Sequence, residues 1–185
     1  MSRLLRTICL AAAMMLVAPL ALAQTPGHTQ PGDAFGLEVA MPERTIVFMS
    51  SIAKWDSAFE TLVDAFRTVY ALLEREGIKP AGDAMVIYNS ADDVGFEFQA
   101  AVPITESFKN PPQGDIAIGK SPLGKAFKFV HRGPYSAMDD TYEAITNFLD
   151  EKGIDAKDLF IEEYVTDPRT TPEDKLVVNV FVPVR

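Results

Sequence analysis

The chain has 185 residues, 48% of them hydrophobic and 23% charged, with a formal net charge of −9. That length suffices for one domain with a substantial core. The acidic balance, without any cluster of Lys and Arg, excludes a phosphate-reading nucleic-acid surface.

The start, Met1-Ser2-Arg3-Leu4-Leu5-Arg6, is basic; an apolar run follows from Ile8 to Leu22, and Ala21-Leu22-Ala23 precedes Gln24. This is the pattern of a secretory signal peptide over 1–23, cleaved after Ala23, because the run is too short to span a bilayer comfortably. An uncleaved anchor is the alternative. Cleavage implies a periplasmic or secreted protein with no stable membrane insertion. Cys9, the one cysteine, leaves with the signal, so the mature chain forms no disulfide and depends on its core. Residues 24–40, rich in Gly, Pro, Gln and Thr, read as a disordered leader, with His28 solvated.

Thr45 to Met49 reads as a strand. Ser57-Ala58-Phe59-Glu60 has capping-box spacing and should start a helix. Phe59, Leu62, Val63, Phe66, Val69, Tyr70 and Leu73 recur at helical spacing, and Gly77 supplies the stop. Strands over Ala84 to Tyr88 and Val94 to Val102 follow, joined by a polar turn. Residues 105–123 form a looser connection in which Ile116 and Ile118 mark a brief strand. Lys125 to His131 is again strand-like. Gly133-Pro134 then opens a second helix with a stripe of Met138, Tyr142, Ile145 and Leu149, closed by Gly153. Strands over Leu159 to Thr166 and Lys175 to Val184 complete the chain.

The two halves match in order. A shift of about 76 lays Phe66 on Tyr142, Leu73 on Leu149, Gly77 on Gly153 and Tyr88 on Tyr164. An insertion in the second turn then lays Val102-Pro103 on Val182-Pro183. The domain over 41–185 therefore reads as two strand-helix-strand-strand repeats, 41–104 and 124–185. Together they make an α+β fold, two helices against one face of an antiparallel sheet. Alternation places Phe96, Phe98, Ala100 and Val102 under the helices, with Leu176, Val178, Val180 and Val182 in the second half. Taking Met85, Ile87, Ile161 and Glu163 as helix-facing leaves Tyr88, Phe160, Glu162 and Tyr164 on the far face. Glu163 then lies among core positions and needs a sheet edge or a Lys partner.

Phe160, Glu162 and Tyr164 put one carboxylate between two aromatics on one strand face, a simple receptor for a cationic or amphipathic ligand. The plainer reading is an acidic strand that blunts a sheet edge. His131, before the Gly-Pro helix start, reads as a structural histidine. Without clustered ligands, nucleophile elbows or phosphate loops, no metal site, catalytic residue or cofactor is expected.

His131-x-Gly133-Pro134-Tyr135, Gly153-Ile154, Glu162-x-Tyr164, Asp167-Pro168, Pro172-Glu173-Asp174 and Val182-Pro183-Val184 together resemble the GyrI-like small-molecule-binding family. These are effector-binding domains of multidrug-sensing bacterial activators and related free-standing proteins. The resemblance covers about residues 41–185. It implies a cleft between two tandem units, with Glu162 deep inside it to meet a cation and Tyr164 beside it. Further lining candidates are Tyr88, Phe160, Asn179 and Phe181, which alternation puts on that same far face, and Trp55 just before the first helix. The regulators' DNA-binding domain has no counterpart here, which turns the expectation from transcription towards an exported small-molecule binder. Two alternatives remain: a hydrolase of strained or electrophilic compounds using the same carboxylate, as in some members, and a haem binder of the similar SOUL type with His131 as ligand.

Overall fold

The computed structural model describes residues 34–185; the expected signal peptide and most of the leader lie outside the described residues. In chain order the elements are β1 (Leu37–Met41), β2 (Thr45–Lys54), α1 (Ala58–Glu76), β3 (Ala84–Ala91), β4 (Gly95–Pro103), β5 (Ile116–Lys120), β6 (Gly124–Arg132), α2 (Met138–Lys152), β7 (Ile161–Tyr164) and β8 (Val177–Pro183). The strands make one open antiparallel sheet in the order β1-β6-β8-β7-β3-β4-β2-β5. In mid-sheet β3 pairs with β7, which joins the strands of the first half of the chain to those of the second.

Both helices form because an apolar stripe at helical spacing finds the sheet. On α1 the stripe buries Leu62, Val63, Phe66, Val69 and Leu73. Gly77 then adopts φ 68°, letting Ile78 N–H reach back to the Leu73 carbonyl and close the helix end. Gly153 does the same for α2. The helix starts differ from the sequence expectation. Ser57 makes no side-chain cap bond, because a 3-10 turn over Trp55–Ser57 leads into the helix and Ala58 N–H donates to the Trp55 carbonyl. A matching turn over Tyr135–Ala137 follows Pro134, so α2 begins at Met138 rather than at Gly133-Pro134.

Residues 37–40, expected in the leader, belong to β1, which pairs along β6 from Leu37↔Lys128 to Met41↔Gly124. Such an edge strand owes its place to a partner remote in sequence.

The helix-side core holds Phe66, Val86, Phe98, Val102 and Tyr164 under α1, and Phe129, Ile145, Val180 and Val182 under α2. The face away from the helices has its own buried cluster of Ile46, Met85, Ile87, Ala101 and Ile161. This reverses the assignment made for β3 and β7. Glu162 lies opposite Val86, and Tyr164 opposite Ala84, so both share the helix-side face with those core residues. Met85, Ile87, Ile161 and Glu163 point the other way. The cause is plain in β3, where Met85, Val86 and Ile87 are all buried, so hydrophobicity alone cannot report which parity faces the helices. Glu163 resolves its own difficulty there: Arg44 Nη2 donates to its Oε1 at 2.9 Å and Asn179 Nδ2 to its Oε2 at 3.2 Å.

Candidate ligand-binding site

Glu162 stands at the centre of the seam, fully buried on the helix side. β7 carries it, and its neighbours come from three elements. Tyr142 of α2 donates its hydroxyl to Oε1 at 2.7 Å, and Tyr88 of β3 donates to the same oxygen at 2.9 Å. Tyr164, two residues along β7 and on the same face, donates to Oε2 at 2.8 Å. Tyr135 lies 3.4 Å from the Tyr88 hydroxyl. Because Tyr88 has spent its one proton on Glu162, Tyr135 is the donor in that contact.

Burial pushes the Glu162 carboxyl above the usual glutamate range, and the three tyrosine hydroxyls pull partly back. No basic side chain is among the groups acting on it within the described residues. Burial, reinforced by Glu162, also holds the Tyr88, Tyr142 and Tyr164 hydroxyls well above their ordinary range, so they remain proton donors.

In front of this hub lies a cavity of about 440 Å³, its lining including Trp55, Tyr88, Tyr135, Asp139, Tyr142 and Phe160. Glu162 and Tyr164 lie behind its floor, screened by Tyr88 and Tyr142. Each of those two hydroxyls donates inward and so presents only oxygen lone pairs outward. The walls are aromatic: Phe59 stacks on Tyr135 at 5.1 Å between ring centres, and Phe160 meets Tyr142 edge-on at 5.3 Å. Trp55 stands half exposed at the rim, its Nε1–H donating to the Asp92 carbonyl at 2.7 Å and its ring against Phe96 at 4.7 Å. A volume and lining of this kind suit a compact aromatic or amphipathic molecule.

Of the residues singled out from sequence, Glu162, Tyr164, Tyr88, Phe160 and Trp55 come together at this cavity or directly behind it. Phe181 and Asn179 do not. Phe181 lies opposite Ile161 and faces away from the helices, beside a smaller hollow of about 210 Å³ with Arg44 and Glu163. Asn179 is tied to Glu163 on that same face. Both were placed with Glu162 through the reversed parity of β7. Tyr142 and Tyr135 were missed as site residues. Tyr142 stood in the α2 stripe as one more core position, yet a tyrosine in a buried stripe needs a partner for its hydroxyl, and that demand points to Glu162.

His131 is buried with both ring nitrogens engaged: Nε2 donates to the Pro134 carbonyl at 3.2 Å, and Nδ1 accepts from the Thr141 hydroxyl at 2.8 Å. Burial holds its pKa below the usual range. A histidine so occupied ties β6 to α2 and offers haem iron no nitrogen.

A family model for a GyrI-like small molecule binding domain matches residues 38–185. No curated protein matches the chain. Among solved structures, the EcmrR C-terminal domain superposes with a TM-score of 0.67 at 15% identity, over 81% of this chain and 96% of that one. In the EcmrR–DNA complex the chain spans only 57% of EcmrR. The protein SAV2435, solved bound to tetraphenylphosphonium, gives 0.57 at 13% identity, covering 82% and 94%. A hydrolase from Listeria innocua gives 0.55 at 12%, covering 82% and 92%. At these identities the likeness is one of fold.

Proposed function

Since this chain belongs to the GyrI-like small molecule binding domain family, we propose that it binds amphipathic organic cations in the cavity between its two helices. The observation that carries the reading is a fully buried carboxyl held by three tyrosine hydroxyls and, among the described residues, by no basic group, directly behind an aromatic cavity. A negative charge placed there is costly unless something positive arrives. A bound cation supplies it, and the rings of Tyr88, Tyr135 and Tyr142 add cation–π contact. Tyr88 and Tyr142 transmit the field of Glu162 and offer lone pairs to the ligand, while Trp55 covers one side of the mouth. That SAV2435 has been solved with tetraphenylphosphonium makes this the first probe to try.

Isothermal titration of residues 24–185 with tetraphenylphosphonium tests the reading. Saturable binding that weakens in Glu162→Gln supports it; absence of binding contradicts it. We also propose export, on the strength of the Met1–Ala23 pattern. N-terminal sequencing of protein recovered from the cell envelope should begin at Gln24, and recovery with Met1 intact from the cytosol would refute export.

A further inference from the structure

The cavity's charges are unequally placed. Among the described residues, no Lys, Arg or His lines it, and the one carboxylate in its lining is Asp139, exposed in the first turn of α2. Glu162 is buried behind the lining tyrosines Tyr88 and Tyr142, which donate to it. Asp139 and Tyr142 are three residues apart on one helix, so their side chains leave the same face one turn apart, and the Tyr142 hydroxyl spans the rest of the way to Glu162. One acid is thus exposed in the lining and the other buried behind its tyrosines, an outer and an inner negative group at one cavity. Tyr135 shares the lining with Asp139, and burial together with the charges of Glu162 and Asp139 opposes its ionisation.

We propose that this cavity selects elongated dications, two cationic centres joined by an apolar spacer, with Asp139 as the specificity-determining residue that receives the outer charge. The inference rests on the reading that Glu162 attracts the inner cation. A monocation answers only the inner acid. A dication answers both, and its spacer lies against Trp55, Tyr135 and Phe160. Asp139 is solvated, so its gain is that of an exposed ion pair rather than of a buried one.

The test compares hexyltrimethylammonium with hexamethonium by isothermal titration, in the wild type, in Asp139→Asn and in Asp140→Asn. Asp140 is exposed beside Asp139 but does not line the cavity. The wild type should bind the dication about fivefold more tightly than the monocation, as an exposed ion pair near 1 kcal/mol allows. Asp139→Asn should bring that ratio close to one, and Asp140→Asn should leave it unchanged. Raising the salt concentration should erode the ratio, because the outer charge is screened. A wild-type ratio near one, or a ratio that Asp139→Asn does not move, overturns the inference. If tetraphenylphosphonium binds through Glu162 while the dication gains nothing, this inference alone fails. If neither the monocation nor tetraphenylphosphonium binds, the parent reading fails and takes this one with it.

Discussion

Replacing Glu162 with Gln removes one charge while keeping the shape of the hub. The amide oxygen can still accept from Tyr88 and Tyr142, which both bond Oε1, while Tyr164 must turn its hydroxyl to accept from the new NH2. The charge effect follows from the spacing. The hydroxyls of Tyr142 and Tyr88 stand 2.7 and 2.9 Å from Oε1, and a cation resting on them lies a further van der Waals contact away. A charge separation of roughly 7 Å in a medium of effective dielectric near 20 gives about 2.4 kcal/mol, on the order of sixtyfold in affinity. Titration of wild type and Glu162→Gln with tetraphenylphosphonium measures this difference, and circular dichroism confirms that both are folded. Triphenylphosphine oxide, neutral and of similar bulk, should distinguish little between them. A loss for the cation of less than about threefold would refute the electrostatic argument, as would an equal loss for the neutral compound.

Three further outcomes follow from the same geometry. Tyr142→Phe removes a hydroxyl that helps keep Glu162 ionised, so cation affinity near neutral pH should fall by about 1.5 kcal/mol, roughly tenfold; the pH at which binding is half developed should rise, and a downward move would contradict the assignment. Stability should depend on pH through the same group. Its folded pKa is raised, so its contribution is fully present below the unfolded glutamate value of about 4.3 and is lost as pH rises through the folded value; urea unfolding of wild type and Glu162→Gln across pH should show the wild type losing relative stability upward, and the opposite slope would be inconsistent. Gly95→Ala drives a Cβ into the main-chain carbonyl of Ala53, which has no freedom to yield; a cost of about 2 kcal/mol in unfolding is expected, with a shift in emission from Trp55, the one tryptophan, and an unperturbed variant would show that β2 and β4 separate easily there.

Much of this was legible from local chemistry. The two helices announced themselves through stripes that end at Gly77 and Gly153, and those glycines take the left-handed conformation such endings require. Glu162 and Tyr164 were legible as a same-face pair because their spacing of two is a property of any strand. The face itself was not. β3 and β7 lie in mid-sheet with apolar side chains on both sides, so only the pairing of Val86 with Glu162 decides which parity meets the helices. That pairing joins residues far apart in sequence, as does the pairing that makes β1 of Leu37–Met41. The wrong parity also explains why Asn179 and Phe181 were grouped with Glu162. Tyr142 illustrates a different limit. Its position in a buried stripe was clear, but the reason a polar tip is tolerated there appears only when a second buried group, remote in sequence, completes its hydrogen bond.

Tetraphenylarsonium carries a cationic centre that anomalous diffraction can locate, and crystals grown with it would test the central claim most directly. The account predicts one strong arsenic peak in the cavity between α1 and α2, against the hydroxyls of Tyr88 and Tyr142, that is lost in crystals of Glu162→Gln grown at the same concentration. A peak elsewhere on the molecule, or an undiminished peak without the Glu162 charge, would contradict it.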